Sequence, residues 1–246
     1  MKKYELTDDT IRVGDRILHR IKALKSFSKV EEGELGGYVE KDNLDQSGDA
    51  WVSGDAQVSG DARVSGDAWV YGDARVSGNA QVSGNAQVSG NAQVYGNAQV
   101  SGNAQVSGNA QVSGNARVSG NAWVYGNAQV YGDARVYGGA RVYGNARVYG
   151  NAQVYGNAQV YGDARVCGDA RVYGENDYTT ARGFGREYRT TTFFRLQNGG
   201  IGVRCGCFYG ALDEFRAKVK ETHKESKMGK EYLMLADLME YKFKDA

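Results

Sequence analysis

The sequence contains no proline, only two histidines and only three cysteines, and it lacks any long apolar run. A membrane-spanning helix needs roughly 18 apolar residues, so none is expected. The first residues also lack the apolar segment of a signal peptide. Cys167, Cys205 and Cys207 form no spaced disulfide framework, so we expect the protein in a reducing cytosol.

A strong excess of one charge is also missing, because the formal net charge is +1. Residues 1–45 carry 9 basic and 10 acidic side chains, residues 46–174 carry 8 of each, and residues 175–246 carry 13 and 11. Proteins that bind nucleic acid present a basic stripe to the phosphates, and this balance predicts none. Nucleic acid is therefore not an expected partner.

The dominant feature is a repeat, Ala-x-Val-x-Gly-Asn/Asp, that runs from Ala50 to Val172 in 21 consecutive hexads. A period of six with two apolar positions fits a short strand (Ala inward, x outward, Val inward) followed by a corner. Gly and Asn/Asp belong at the corner because they tolerate positive φ. A helix is excluded, since its 3.6-residue period would spread the valines over every side.

Three hexads close a triangular coil of 18 residues, which predicts about seven stacked coils and a rod about 35 Å long. Such a solenoid depends on contacts between neighbouring units, so its end coils need caps. We predict an N-terminal β cap over residues 1–45, the rod over residues 46–174, and a C-terminal unit over residues 175–246.

The hexads resemble those of left-handed parallel β-helix proteins, in which a small residue precedes an aliphatic one by two positions. The segments RIKAL (20–24), GGYV (36–39), NL (43–44) and GDAWV (48–52) are similar to the opening module of YdcK-like hexapeptide-repeat proteins. The whole chain resembles hexapeptide-repeat proteins encoded by phages and prophages. The resemblance implies an all-β solenoid with a left-handed coil and a homo-oligomer, either a trimer or a dimer.

Sorting the outward positions by 18 places all three tryptophans, Trp51, Trp69 and Trp123, on one face of the rod. One interpretation is that the N-terminal segment folds over this face and uses them as cap contacts. The other is that they form an interface with a subunit or a partner, because exposed aromatic clusters often mark such surfaces.

The C-terminal unit is expected to be a small ββαα fold. Residues 175–188 read as a polar connector, followed by strands over 190–196 and 201–209 and then by two amphipathic helices. Four of its arginines, Arg186, Arg189, Arg195 and Arg204, are candidate anion-binding residues, although scattered solvated charge is the simpler and favoured explanation.

Cys205 and Cys207 continue the alternation of Ile201 and Val203, which favours a place in the core of the C-terminal unit. A Cys-x-Cys motif with His223 lacks one ligand of a structural zinc site. The sequence therefore predicts no metal site.

Left-handed β-helices are best known as acyltransferases, in which a histidine on a coil acts as general base. Here the two histidines, His19 and His223, lie outside the coils, and no hexad is interrupted by an inserted loop. The sequence leaves enzyme activity open but favours its absence, with no catalytic residue and no cofactor predicted.

We therefore expect a non-enzymatic scaffold or binding protein. We also expect it to be encoded by a phage and to act in the cytosol of the host cell. Its partner would be a host protein or a small signalling ligand, for example a component of a host defence system. A hexapeptide-repeat acyltransferase and a structural component of the virion are the alternatives.

Overall fold

The valine and alanine of each hexad point into the rod, as the sequence predicts. All 21 repeat valines from Val52 to Val172 have no exposed surface, and the alanines are buried with them. The computed structural model describes residues 2–185 and 187–244. In these residues the chain is a parallel β-solenoid with N-terminal strands and a C-terminal unit of two helices and a small sheet, which confirms the predicted fold class.

Twenty-one strands of two residues each, β4 to β24, form the three faces of the solenoid. The tryptophan face consists of β4 Trp51–Val52, β7 Trp69–Val70, β10 Gln87–Val88, β13 Gln105–Val106, β16 Trp123–Val124, β19 Arg141–Val142 and β22 Gln159–Val160. The second face consists of β5 Gln57–Val58, β8 Arg75–Val76, β11 Gln93–Val94, β14 Gln111–Val112, β17 Gln129–Val130, β20 Arg147–Val148 and β23 Arg165–Val166. The third face consists of β6 Arg63–Val64, β9 Gln81–Val82, β12 Gln99–Val100, β15 Arg117–Val118, β18 Arg135–Val136, β21 Gln153–Val154 and β24 Arg171–Val172.

The solenoid begins before the first hexad. Strands β1 (Tyr4–Val13) and β2 (Arg16–Ala23) form an antiparallel hairpin, and β2 pairs with β3 (Leu35–Val39). Strand β3 then runs parallel to β5, with Val39 opposite Val58, and Leu44 forms a bridge to Val64 on the third face. These residues add a partial turn ahead of the seven coils and extend the second face to ten strands.

Two polar side chains satisfy the first carbonyls of the rod. In a regular coil, the Gly and Ala carbonyls accept backbone N–H groups from the preceding coil. At the start of the rod Lys3 Nζ donates to the carbonyls of Gly48 (3.3 Å) and Ala50 (2.9 Å). Asn43 Nδ2 donates in the same way to Gly60 (3.1 Å) and Ala62 (2.8 Å). Each side chain thus replaces the missing backbone of a preceding coil.

Lys3 is fully buried, and this burial lowers the pKa of its ammonium group below the usual value. Nearby Asp45 and Asp49 oppose that shift, and the Phe27 ring lies 5.2 Å from the Lys3 nitrogen. A buried lysine is rare unless its hydrogen bonds are satisfied. The two carbonyls supply that compensation.

The described residues of the C-terminal unit form four strands, where the sequence predicted two. They are β25 (Tyr178–Ala181), β26 (Thr191–Arg195), β27 (Ile201–Cys205) and β28 (Phe208–Ala211), which follow a 3₁₀ helix at Glu175–Asp177. The predicted connector supplies β25, because Tyr178 pairs with Phe194 and is buried. Helices α1 (Leu212–His223) and α2 (Lys227–Phe243) complete the unit.

The four-stranded sheet closes the end of the rod through β26. Phe194 packs with the rod core, whereas Phe193 packs with the helices in a second core. The hydroxyl of Thr192 accepts a hydrogen bond from Arg165 N (2.9 Å), an amide that no following coil can satisfy. Strand β26 is thus the layer between the rod and the helices.

No helix within residues 2–185 and 187–244 combines the length and apolarity needed to cross a membrane.

Replacing Lys3 by methionine tests the cap. The Lys3→Met variant leaves the Gly48 and Ala50 carbonyls buried without donors, which lowers the free energy of unfolding by about 1–3 kcal/mol. The control is Lys41→Met, which removes an exposed ion pair with Asp61 and costs less than about 1 kcal/mol. Urea denaturation measures both values, and equal losses would contradict a capping role for Lys3.

Alanine substitutions at two corner glycines distinguish the cost of backbone strain from the cost of crowding between coils. Gly108 (φ +68°) and Gly162 (φ +65°) both adopt the left-handed conformation. A Cβ at Gly108 would lie 3.1 Å from the Gly126 nitrogen, whereas one at Gly162 meets nothing within 4 Å. We expect Gly162→Ala to cost about 1–2 kcal/mol from the conformation alone. Gly108→Ala should cost more in the same urea titration, and equal costs would show that coil spacing imposes no steric limit there.

Candidate functional site

The three tryptophans lie on one face of the rod, as predicted, but their exposure differs. Trp51 is fully buried, Trp69 is half-buried, and Trp123 is 41% exposed. Trp51 and Trp69 occupy neighbouring strands in register, and Trp123 lies three strands further along. The exposure of the three tryptophans therefore increases from Trp51 to Trp123.

Trp51 belongs to the N-terminal cap. The Phe27 ring meets it edge-on, with centroids 5.4 Å apart and planes at 75°. Its indole nitrogen is buried and has no acceptor among the described residues. Of the two interpretations of Trp51, the contact with the cap is therefore the one that its surroundings support.

Trp69 and Trp123 remain accessible to another molecule. The loop containing Ser28 and Lys29 stands beside Trp69 and bounds a hollow of about 250 Å³, which Tyr71 and Gln87 also line. Further along the face, the Arg141 guanidinium lies 5.3 Å from the centre of the Trp123 ring. The face thus carries a hollow at one end and a tryptophan–arginine pair near the other.

A column of stacked tyrosines borders this face on the corner that follows it. Tyr125 and Tyr143 stack with centroids 4.9 Å apart and planes within 3°, and Tyr143 and Tyr161 stack at 5.3 Å. Burial raises the pKa of Tyr143 above its usual value. Tyr161 is 53% exposed, so the column extends the accessible aromatic surface.

The candidate arginines of the C-terminal unit have separate partners. Arg195 lies 3.4 Å from Asp177 and donates to the Phe243 carbonyl at 2.6 Å, which joins β26 to the end of α2. Arg204 donates to the Cys207 carbonyl at 3.0 Å. Arg189 forms an exposed ion pair with Glu187 at 3.8 Å. Arg186 lies outside the described residues.

Arg189 borders a hollow. Together with Arg165 and Arg182 it lines about 300 Å³ at the junction of the second face and the C-terminal unit, where Asp163 and Glu187 balance part of the positive charge. Arg182 lies 3.7 Å from Asp163. The hollow could hold a small anion only in competition with these carboxylates.

The prediction that Cys207 lies in the core was wrong. Cys205 ends β27 and accepts a hydrogen bond from the Thr191 hydroxyl at 3.2 Å, but Cys207 is exposed. Gly206 (φ +58°) and Cys207 form a two-residue turn, because Cys205 pairs with Phe208. Glycine is favoured at the first position of such turns, so the alternation ends there.

An acyltransferase of this fold would use a histidine on a coil as general base, and the two histidines lie elsewhere. His19 Nδ1 is 3.0 Å from the Thr7 carbonyl in the N-terminal hairpin, and the His223 ring lies against Tyr232 in the C-terminal unit. In the part of the chain that the structure describes, no group of three His, Cys, Asp or Glu residues could hold a metal ion.

A polar groove of about 610 Å³ lies at the N-terminal end of the third face. It forms beside the segment 41–45, where the third face has the Leu44 bridge in place of a full strand. Its Lys41 and Asp61 pair with each other at 2.6 Å. The groove offers charged groups for binding, and the residues that line it include no histidine or cysteine.

Two family models match parts of the chain. Residues 47–151 are similar to bactofilins, which are described as polymer-forming cytoskeletal proteins. Residues 152–166 and 158–174 match the YdcK β-solenoid repeat. A search of the curated proteins finds no match to the chain.

Matched glutamine substitutions test the difference in exposure among the three tryptophans. Glutamine occupies the equivalent outward position at Gln87, Gln105 and Gln159, so the rod accepts it there. At protein concentrations low enough to keep the chain monomeric, we expect Trp123→Gln to change the free energy of unfolding by less than about 0.5 kcal/mol, whereas Trp51→Gln costs about 3–5 kcal/mol.

Trp69→Gln should have an intermediate effect in the same denaturation experiment. Acrylamide quenching provides a second measurement, because Trp123→Gln should remove the most accessible part of the fluorescence. A larger loss of stability from Trp123→Gln than from Trp51→Gln would contradict the described burial.

Proposed function

We propose that the chain is a non-enzymatic scaffold, a rigid β-solenoid rod that associates with copies of itself. The observation that carries this proposal is the uninterrupted series of 21 strands with identical inward residues. No hexad carries an inserted loop, so the coils build no walled cleft of the kind an acyl donor needs. A stiff rod with regular faces is suited to holding other molecules at fixed positions.

The similarity of residues 47–151 to bactofilins, described as polymer-forming, supports self-association. The ends of the rod indicate how copies would meet. Lys3 and Asn43 occupy the first carbonyls, and Thr192 occupies an amide of the last coil. Because these backbone groups are already satisfied, we propose that copies associate through their sides, as dimers or trimers.

The finer proposal concerns where the scaffold acts. The three cysteines are free, which supports a reducing compartment such as the cytosol. The resemblance to YdcK-like proteins of phages and prophages supports a role inside an infected host cell. There the partner would be a host defence component, a protein or a small signalling nucleotide.

Measuring the mass of the purified full-length protein tests the scaffold proposal. Sedimentation velocity over a range of concentrations should give a weight-average mass above the monomer value of 26.7 kDa that rises with concentration. A monomer at every concentration would contradict self-association.

Incubation with acyl-coenzyme A tests the alternative of an acyltransferase. We expect no release of free thiol above the buffer rate, because the coils supply no histidine as general base. Steady release of thiol that depends on an added amine or hydroxyl acceptor would favour the enzyme.

A further inference from the structure

The charges of the chain are segregated along the rod, although the totals of the three segments are balanced. Residues 1–76 carry 11 basic and 15 acidic side chains, residues 77–116 carry none, and residues 117–246 carry 19 and 14. One half of the molecule has a net charge of −4, the other half +5, and a neutral stretch of two coils separates them.

The repeat itself carries much of this separation. Residues 46–76 of the repeat contain five corner aspartates and two arginines, and residues 117–174 contain six outward arginines and three aspartates, so these two parts have net charges of −3 and +3. The five aspartates are Asp49, Asp55, Asp61, Asp67 and Asp73, and the six arginines are Arg117, Arg135, Arg141, Arg147, Arg165 and Arg171. Neighbouring strands bring like charges together, since Arg117 lies beside Arg135 and Arg147 beside Arg165. An oppositely charged surface of another molecule would relieve this repulsion.

A second copy of the chain offers that surface when it lies side by side in the opposite direction. If two side-by-side copies pointed in the same direction, the halves with a net charge of −4 would lie beside each other, and so would the halves with a net charge of +5. The rod is about 35 Å long, several times the Debye length of about 8–10 Å at physiological ionic strength. Each charged end therefore interacts only with the end of the other copy that lies next to it. At both ends, the electrostatic interaction favours copies that point in opposite directions.

The tryptophan face has the composition of an interface. Its outward row carries one formal charge, Arg141, together with glutamines and the accessible Trp69 and Trp123. The tyrosine column adds Tyr125, Tyr143 and Tyr161 at its border. Tryptophan, tyrosine and arginine are enriched in the energetically important centres of interfaces, and other charges are depleted there.

The positions of these residues fit a two-fold axis through the middle strand. Gln105 on β13 has three strands on either side, so an axis there pairs Gln87 with Trp123 and Trp69 with Arg141 of the second copy. The hollow beside Trp69 and the Trp123–Arg141 pair then lie opposite each other. The same patch contacts itself, as an isologous interface requires.

We propose that two copies associate antiparallel through their tryptophan faces, with Arg141 and Trp123 of one copy against the Trp69 hollow of the other. The proposal rests on the self-association proposed above and specifies its surface and direction. Charge segregation selects the direction, and the aromatic face provides the contact.

Glutamine variants test the surface without disturbing the rod, because glutamine already occupies the neighbouring outward positions. Trp123→Gln and Arg141→Gln should each weaken the dimer at least about tenfold in sedimentation equilibrium. Arg147→Gln, on the second face, removes the same charge as Arg141→Gln and should weaken it less than about threefold. Equal losses from Arg141→Gln and Arg147→Gln would overturn the assignment of the face.

Spin labels test the direction. Single labels at Gln105→Cys and Gln159→Cys are introduced in the full-length chain with the exposed Cys207 replaced by serine. Antiparallel copies bring the two labels at position 105 together and separate those at position 159 by six strand spacings, about 29 Å. Short distances at both positions would show a parallel dimer and overturn the proposal.

Salt provides the third measurement. The dimer should weaken as sodium chloride is raised from about 0.05 M to about 0.5 M, because the attraction between the charged halves is screened. Association that persists in both variants, or that strengthens with salt, would overturn this interface while leaving self-association intact. A monomer under all conditions would remove both proposals.

Discussion

The backbone ladder between successive coils is the interaction on which the rest of the molecule depends. Gln105 N donates to the Ala122 carbonyl at 2.9 Å, and Ser107 N donates to the Val124 carbonyl at 2.9 Å. The same pattern recurs along the rod with an offset of 17 residues. Such a ladder always ends in unsatisfied groups, and buried polar groups without partners are costly. Lys3, Asn43 and Thr192 occupy that position, so the caps are a consequence of the ladder.

The close stacking of the coils also means that only surface positions can vary from coil to coil. Alanine and valine fill every inward position, so variation between coils is confined to the outward rows and the corners. Side chains there meet their counterparts one coil away, as in the bond of 3.0 Å between Asn103 and Asn121 and in the tyrosine columns. Because aspartates are concentrated near one end of the rod and arginines near the other, the net charge has opposite signs at the two ends. The surface thus carries the information that distinguishes one coil from another.

These features are consistent with the scaffold proposed above. The faces of the rod bring rows of amides, aromatic rings and arginines into register, which suits binding to another ordered surface. The histidines lie in the N-terminal hairpin and in the C-terminal unit, away from the coils. The caps formed by Lys3, Asn43 and Thr192 support the proposal that copies meet through the sides of the rod.

The sequence by itself determined the solenoid, its inward residues and the grouping of the tryptophans on one face. A strict period of six makes each of these local, because every hexad repeats the same choice of inward and outward positions. The left-handed coil stays a prediction from resemblance. The structure alone decided how the ends close. Lys3 is buried although its sequence neighbours suggest a solvated lysine, Tyr178–Ala181 forms a strand, and Cys207 lies in an exposed turn. Lys3 and the strand Tyr178–Ala181 depend on partners distant in the chain, namely Ala50 and Phe194, whereas Cys207 lies in a local turn between β27 and β28. Local pattern cannot reveal such partners, because the free energy that fixes these residues comes from contacts formed only when the chain has folded.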